Sequence, residues 1–116
     1  MYNENNIFAK ILRGEIPSDK VYEDENTLFF RDINPKAKIH VLAIPKVPCV
    51  DFADFVSKSN ENDVSDFFKK VDKVINLLGL KEDGYRIVSN SGEHGCQEVP
   101  HFHIHILGGE KLNLSL

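Results

Sequence analysis

"VPHFHIHILGG", residues 99–109, sets three of the chain's five histidines at every second position of an apolar run. A period of two is the period of a β-strand. His101, His103 and His105 then point to one face, and Phe102, Ile104 and Ile106 point to the other. On a straight strand the imidazoles stand about 6.6–6.8 Å apart. A helix would scatter them. "HFHIHIL", residues 101–107, is therefore expected to be the last strand, with imidazoles on one face and a core on the other.

The rest of the chain supplies partners for that strand. "YRIVSN" (85–90) reads as a strand, and "SGEHGCQEVP" (91–100) as the glycine-containing loop between the two. "KVYED" and "TLFFRDI" flank the turn-forming "DEN" and predict a hairpin. "NPKAK" turns the chain into "IHVLAIP" (39–45), a strand that Pro45 closes. "NNIFAKILRGEIP" starts with capping asparagines, spaces Ile7, Phe8, Ile11 and Leu12 along one helical side, and ends at Gly14 and Pro17. "CVDFADF" reads as a short helical turn. The clearest helix runs over 61–78: Val64, Phe67, Phe68, Val71, Val74, Ile75 and Leu78 recur at helical spacing, Asn60 caps it and Gly79 stops it. Two helices and about five hairpin-connected strands predict an α+β domain around an antiparallel sheet.

Composition narrows what such a domain does. A chain of 116 residues fits a single domain over 1–116. It is 41% hydrophobic and 28% charged, with a formal net charge of −4. A mildly acidic chain without a basic block is a poor general nucleic-acid binder, because such binding rests on neutralising many phosphates. No apolar run is long enough to span a bilayer, and no targeting signal opens the sequence. Cys49 and Cys96 form no C-x-x-C pair and read as reduced thiols, so the protein is expected to be cytoplasmic.

Three chemistries fit the histidine row. A purely structural row has to satisfy three imidazoles, because burying each without a partner costs free energy. Zinc can be shared by histidines at i and i+2, with His40 or His94 completing the set, although ligands at i and i+4 of a straight strand lie far apart. Nucleophilic catalysis at phosphorus uses a neutral imidazole, with a second imidazole beside it to handle the leaving group. The preceding loop can then aim backbone N–H groups at the phosphate oxygens.

"HFHIHIL" has the pattern His-φ-His-φ-His-φ-φ, with φ apolar, and so resembles the signature of the histidine triad family. "NIFAKILRGEIPSDKVYEDENTLFFRDINPKAKIHVLAIPK" and "GCQEVPHFHIHILGG" are similar to the Hint branch, the purine nucleoside phosphoramidases, from about Asn6 to Gly109. The resemblance implies a HIT-like fold: a five-stranded antiparallel sheet with two helices, paired in a homodimer into a ten-stranded sheet. The helix carrying Phe67 and Phe68 either contributes to that interface or packs only on its own sheet.

By the same resemblance, His103 is the nucleophile. It attacks the α-phosphorus of a purine nucleoside 5′-phosphoramidate or aminoacyl-adenylate, and water hydrolyses the nucleotidyl-histidine. His105 contacts the phosphoryl or leaving group, and His101 supports the nucleophile together with His40. Asn90, Cys96, Gln97, Glu98 and Val99 correspond to the positions that hold the phosphate. Asp32 corresponds to the acceptor for the ribose hydroxyls, or else it caps the turn before Asn34. Phe8, Ile11, Ile16, Phe30, Ile33 and Leu42 correspond to the apolar slot for the base. No metal or cofactor is implied.

Two positions depart from the animal members. Glu98 replaces a serine, and a carboxylate beside a phosphate is unfavourable, so the Glu98 backbone rather than its side chain is expected to bind. The tail "EKLNLSL" (110–116) lacks the tryptophan and proline-rich ending that, in those members, reaches the partner's site. Two functions remain open: the hydrolase, and a purine-nucleotide-binding regulatory protein with little turnover.

Overall fold

The computed structural model describes residues 1–113, and residues 114–116 of the tail lie outside the described residues. In chain order the elements are α1 (Ile7–Leu12), β1 (Lys20–Glu23), β2 (Thr27–Arg31), β3 (Ile39–Pro45), α2 (Phe52–Lys58), α3 (Glu61–Leu77), β4 (Tyr85–Val88) and β5 (Ile104–Gly108). The five strands form one sheet in the order β1-β2-β3-β5-β4. Every neighbouring pair is antiparallel. No helix among the described residues is long and apolar enough to cross a membrane.

Each helix starts at the residue whose side chain can serve an orphan N–H. The Asn6 side chain accepts from the Ala9 amide, Asp51 from Asp54 and Asn60 from Asp63. Past the ends of α1 and α3, Gly14 and Gly79 take positive φ, which glycine tolerates without strain. The segment expected to be a short turn is the seven-residue α2, a third helix beyond the two anticipated.

Alternation along the strands builds a core on each side of the sheet. One cluster joins Phe29, Val41, Ala43, Phe102, Ile104 and Ile106 to Phe55 of α2 and to Phe67, Val71, Val74 and Ile75 of α3. The other joins Leu28, Phe30, Leu42 and Ile44 to Phe8 and Ile11 of α1. The two clusters separate the alternate residues of β2 and β3, as a period of two requires. Both Phe67 and the half-buried Phe68 pack on the chain's own sheet.

The last strand is shorter than the sequence suggests. β5 begins at Ile104, and residues 101–103 precede it without ladder pairing. β4 ends opposite His105, and β3, which continues through Ile44 and Pro45, stops pairing with this strand at Ala43 opposite Ile104. The Phe102 amide turns to the Cys49 carbonyl instead, at 2.9 Å. Facing still alternates. Phe102 enters the α2–α3 cluster, while His101 and His103 both contact the Phe8 ring on the α1 side.

Candidate active site

On the α1 side of the sheet lies a cavity of about 560 Å³, lined by His103, His105 and His40. Strand register accounts for the meeting of His40 and His105. His40 stands opposite Leu107 and His105 opposite Leu42, so the two imidazoles are diagonal neighbours on one face. Their rings approach to 2.9 Å between His40 Nε2 and His105 Nδ1. The His103 and His105 rings lie 5.0 Å apart, closer than on a straight strand. His101 is fully buried and lies outside the cavity lining. His40 and His101 therefore do not form one supporting group; they brace opposite ends of the row.

Unambiguous partners fix which nitrogen of each ring carries the proton. The Lys36 amide can only donate, so His40 Nδ1 accepts at 3.0 Å and the proton sits on Nε2. That Nε2–H donates to His105 Nδ1, which leaves the proton of neutral His105 on its own Nε2. At the other end the Pro45 carbonyl can only accept, so His101 Nε2–H donates to it at 2.8 Å. The His101 carbonyl in turn accepts from His103 Nδ1–H at 2.7 Å. Neutral His103 therefore carries its lone pair on Nε2. No buried side-chain nitrogen lacks a partner among the described residues, and Nε2 of His103, with no protein partner, is thus open to the cavity.

Burial keeps all four rings neutral by disfavouring the imidazolium. It pushes His101 down to about 4, from an ordinary value of 6.5. His105 also falls to about 4, through burial first and then through His103 and His40. Burial lowers His103 as well, opposed by its bond to the His101 carbonyl and by Asp32 and Glu98. His40 is lowered by burial against the opposing pull of Asp32.

The expected binding residues separate into two groups. Phe8, Ile11, Ile16, Phe30, Ile33 and Leu42 all line the cavity. Phe8, Ile11, Phe30 and Leu42 are at the same time buried core, whereas Ile33 is 87% exposed. Asp32, Asn90, Cys96, Glu98 and Val99 line it too. Gln97 does not. Its amide donates to the carbonyls of Val50 and Val99 and accepts from the Gly92 N–H, which braces the loop from within. His94 is exposed and also lies outside the lining.

The loop amides divide in the same way. Those of Cys96 and Gln97 are spent on Glu93 and Gly92, so only the Glu98 and Val99 amides of this segment can meet an anion. Cys96 holds φ at 60°, in the left-handed region. Asp32 fulfils its turn role, since its Oδ1 accepts from the Asn34 amide at 2.8 Å. Its Oδ2 lies 3.5 Å from His40 Nε2. The potential ligand atoms of Asp32, His40 and His105 all lie within 4.8 Å of one another.

Residue-by-residue reading of the sequence missed part of the lining, Ser18, Lys36, Val88 and Leu107 among it. Val88 and Leu107 were legible once the register was known, since Val88 pairs with His105 and Leu107 with His40. Ser18 and the Lys36 amide carry no pattern of their own.

Residues 13–112 match the HIT domain family. A purine nucleoside phosphoramidase of Escherichia coli strain K12 is 43% identical over 113 residues, covering 97% of this chain and 94% of the relative. A 14 kDa zinc-binding protein of maize (Zea mays) is 48% identical over 109 residues, covering 92% and 84%. Among solved structures, a histidine triad protein from Clostridium difficile matches over the full length of both chains, with a TM-score of 0.88 at 40% identity.

Proposed function

The chain belongs to the HIT domain family, and on that footing we propose that it hydrolyses purine nucleoside 5′-phosphoramidates or aminoacyl-adenylates to the nucleoside monophosphate. One observation carries the reading: two adjacent rings of opposite polarity, His103 with a lone pair on Nε2 and His105 with a proton on Nε2, 5.0 Å apart. The phosphoramidase among the relatives supports a hydrolase.

In this mechanism His103 Nε2 forms a bond to the α-phosphorus while the bond from phosphorus to the leaving nitrogen or oxygen breaks. An amine departs with a proton drawn from solvent; a carboxylate needs none. The Nδ1–H bond to the His101 carbonyl steadies the positive charge that develops on the attacking ring. His105 Nε2–H and the Glu98 and Val99 amides donate to the phosphoryl oxygens, where charge builds up. Water then attacks phosphorus and gives up a proton to solvent, the N–P bond breaks, and His103 recovers its lone pair. Asp32 Oδ2 takes the ribose hydroxyls, and the wall of Phe8, Ile11, Phe30 and Leu42 takes the base.

Asp32, His40 and His105 do not fit a resident metal as they stand. His40 would have to ligate through Nε2, the nitrogen that carries its proton, because Nδ1 is held by the Lys36 amide. Its 2.9 Å approach to His105 Nδ1 is also tighter than the roughly 3.3 Å between two ligands of a tetrahedral zinc. The expected outcome is release of AMP from adenosine 5′-phosphoramidate at an undiminished rate in EDTA. Loss of turnover on chelation, restored by zinc, would replace the nucleophile with a metal centre. Stoichiometric AMP binding with no turnover would favour the regulatory alternative.

The same reading includes a homodimer. β4 is an edge strand, and its outward face exposes Tyr85 and Ile87, at 43% and 46%. Pairing such an edge across a two-fold axis satisfies its free backbone groups and covers that surface. Sedimentation at micromolar concentration should give the mass of two chains. A monomer there counts against a continuous ten-stranded sheet.

A further inference from the structure

We infer that Tyr2 is a positioning residue for the catalytic row, acting through its O–H on His101 Nδ1. The inference rests on the nucleophilic reading of His103 given above.

His101 is the one triad ring outside the lining of this cavity, and at 0% exposure it has no access to solvent. Both its nitrogens therefore need protein partners. Nε2–H is committed to the Pro45 carbonyl, so Nδ1 must accept, and the Tyr2 hydroxyl donates to it at 2.7 Å. The Tyr2 ring also meets the imidazole edge-on, with centres 5.6 Å apart. Burial raises the Tyr2 pKa, which keeps the hydroxyl protonated as a donor.

The contact spans 99 positions of sequence, and a tight turn before α1 makes it possible. Asn6 donates through its amide and through its side chain to the Asn3 carbonyl, at 3.1 and 2.7 Å, while its Oδ1 caps α1. Arg13 Nη1 holds the Glu4 carbonyl at 2.8 Å. The first residues are thereby tied to α1, whose Phe8 packs against both His101 and His103.

The consequence runs through a single peptide group. The His101 carbonyl orients His103 by accepting its Nδ1–H. A His101 ring pinned at both nitrogens pins that carbonyl, and so fixes the direction of the lone pair on His103 Nε2. Without the Tyr2 hydroxyl, His101 Nδ1 loses its donor, and the ring is held from one end only.

Tyr2→Phe removes the hydroxyl and keeps the ring, so a purely packing role leaves it silent. Two-bond ¹H–¹⁵N spectra of the histidine rings should show His101 protonated at Nε2 in both proteins. The Nδ1 resonance should move toward that of a free imine nitrogen in Tyr2→Phe. With adenosine 5′-phosphoramidate, kcat should fall roughly 3- to 10-fold while KM stays within about twofold. An unmoved Nδ1 resonance, an Nδ1–H tautomer in the wild type, or an unchanged kcat each overturns the proposal. A wild-type protein that releases no AMP overturns the hydrolase reading instead, and the spectra still decide whether Tyr2 holds His101.

Discussion

Replacing His103 with alanine lowers kcat for AMP release by at least about 10³-fold, a barrier increase of roughly 4 kcal/mol. The lone pair on Nε2 is lost with the ring, and nothing adjacent substitutes for it. His105 presents a proton where His103 presents a lone pair, because His40 already occupies its Nδ1. AMP binding should persist in the variant, since Phe8, Ile11, Phe30, Leu42 and Asp32 stay in place around the cavity. The wild-type pH profile adds a sign that can be checked. Attack needs neutral His103, and burial holds its pKa below 6.5. The acid-side fall in rate should therefore be centred at a lower pH than an ordinary imidazole would give. A His103→Ala protein within tenfold of wild-type kcat, or a rate that halves at pH 6.5, contradicts this assignment.

One position earlier in the chain, the same substitution acts on stability. Phe102 is 1% exposed and stacks on Phe55 at 4.9 Å and 16°, with Phe67 5.6 Å away. Phe102→Ala leaves a hole between the sheet and the two helices, at a cost of about 3–5 kcal/mol. Against a typical total of about 5–15 kcal/mol, that is a large fraction. Thermal unfolding should shift down by more than about 10 °C. A shift of a degree or two would show that α2 and α3 close over the gap. His103 and Phe102 are neighbours in sequence, and the alternation of faces is what gives one chemistry and the other stability.

That alternation was legible in the sequence, and so were the antiparallel sheet, the amphipathic α3 and the caps at Asn6 and Asn60. The limits of the strand were not. A spacing of two shows which way side chains point, but not how far the ladder runs: at 101–103 β4 has ended, and β3, though it continues to Pro45, no longer pairs with this segment. The apolar slot shows a second limit. Periodicity reports burial, and Phe30 and Leu42 are buried in a core cluster while also lining a cavity. Gln97 was grouped with the phosphate loop by likeness, yet its amide is consumed within the loop; only coordinates count such bonds. The His40–His105 contact needed the register, and the Tyr2–His101 contact had no local pattern to announce it.

The central claim is a covalent bond between His103 Nε2 and phosphorus. It is tested most directly by mixing the protein with adenosine 5′-phosphoramidate labelled in the adenylyl group, quenching within the first turnover, and mapping the label by peptide mass. The account predicts a nucleotidyl adduct on His103 that forms and decays at rates matching turnover, and none in His103→Ala. An adduct mapped to His105, or catalytic turnover with no adduct on any histidine, would contradict it.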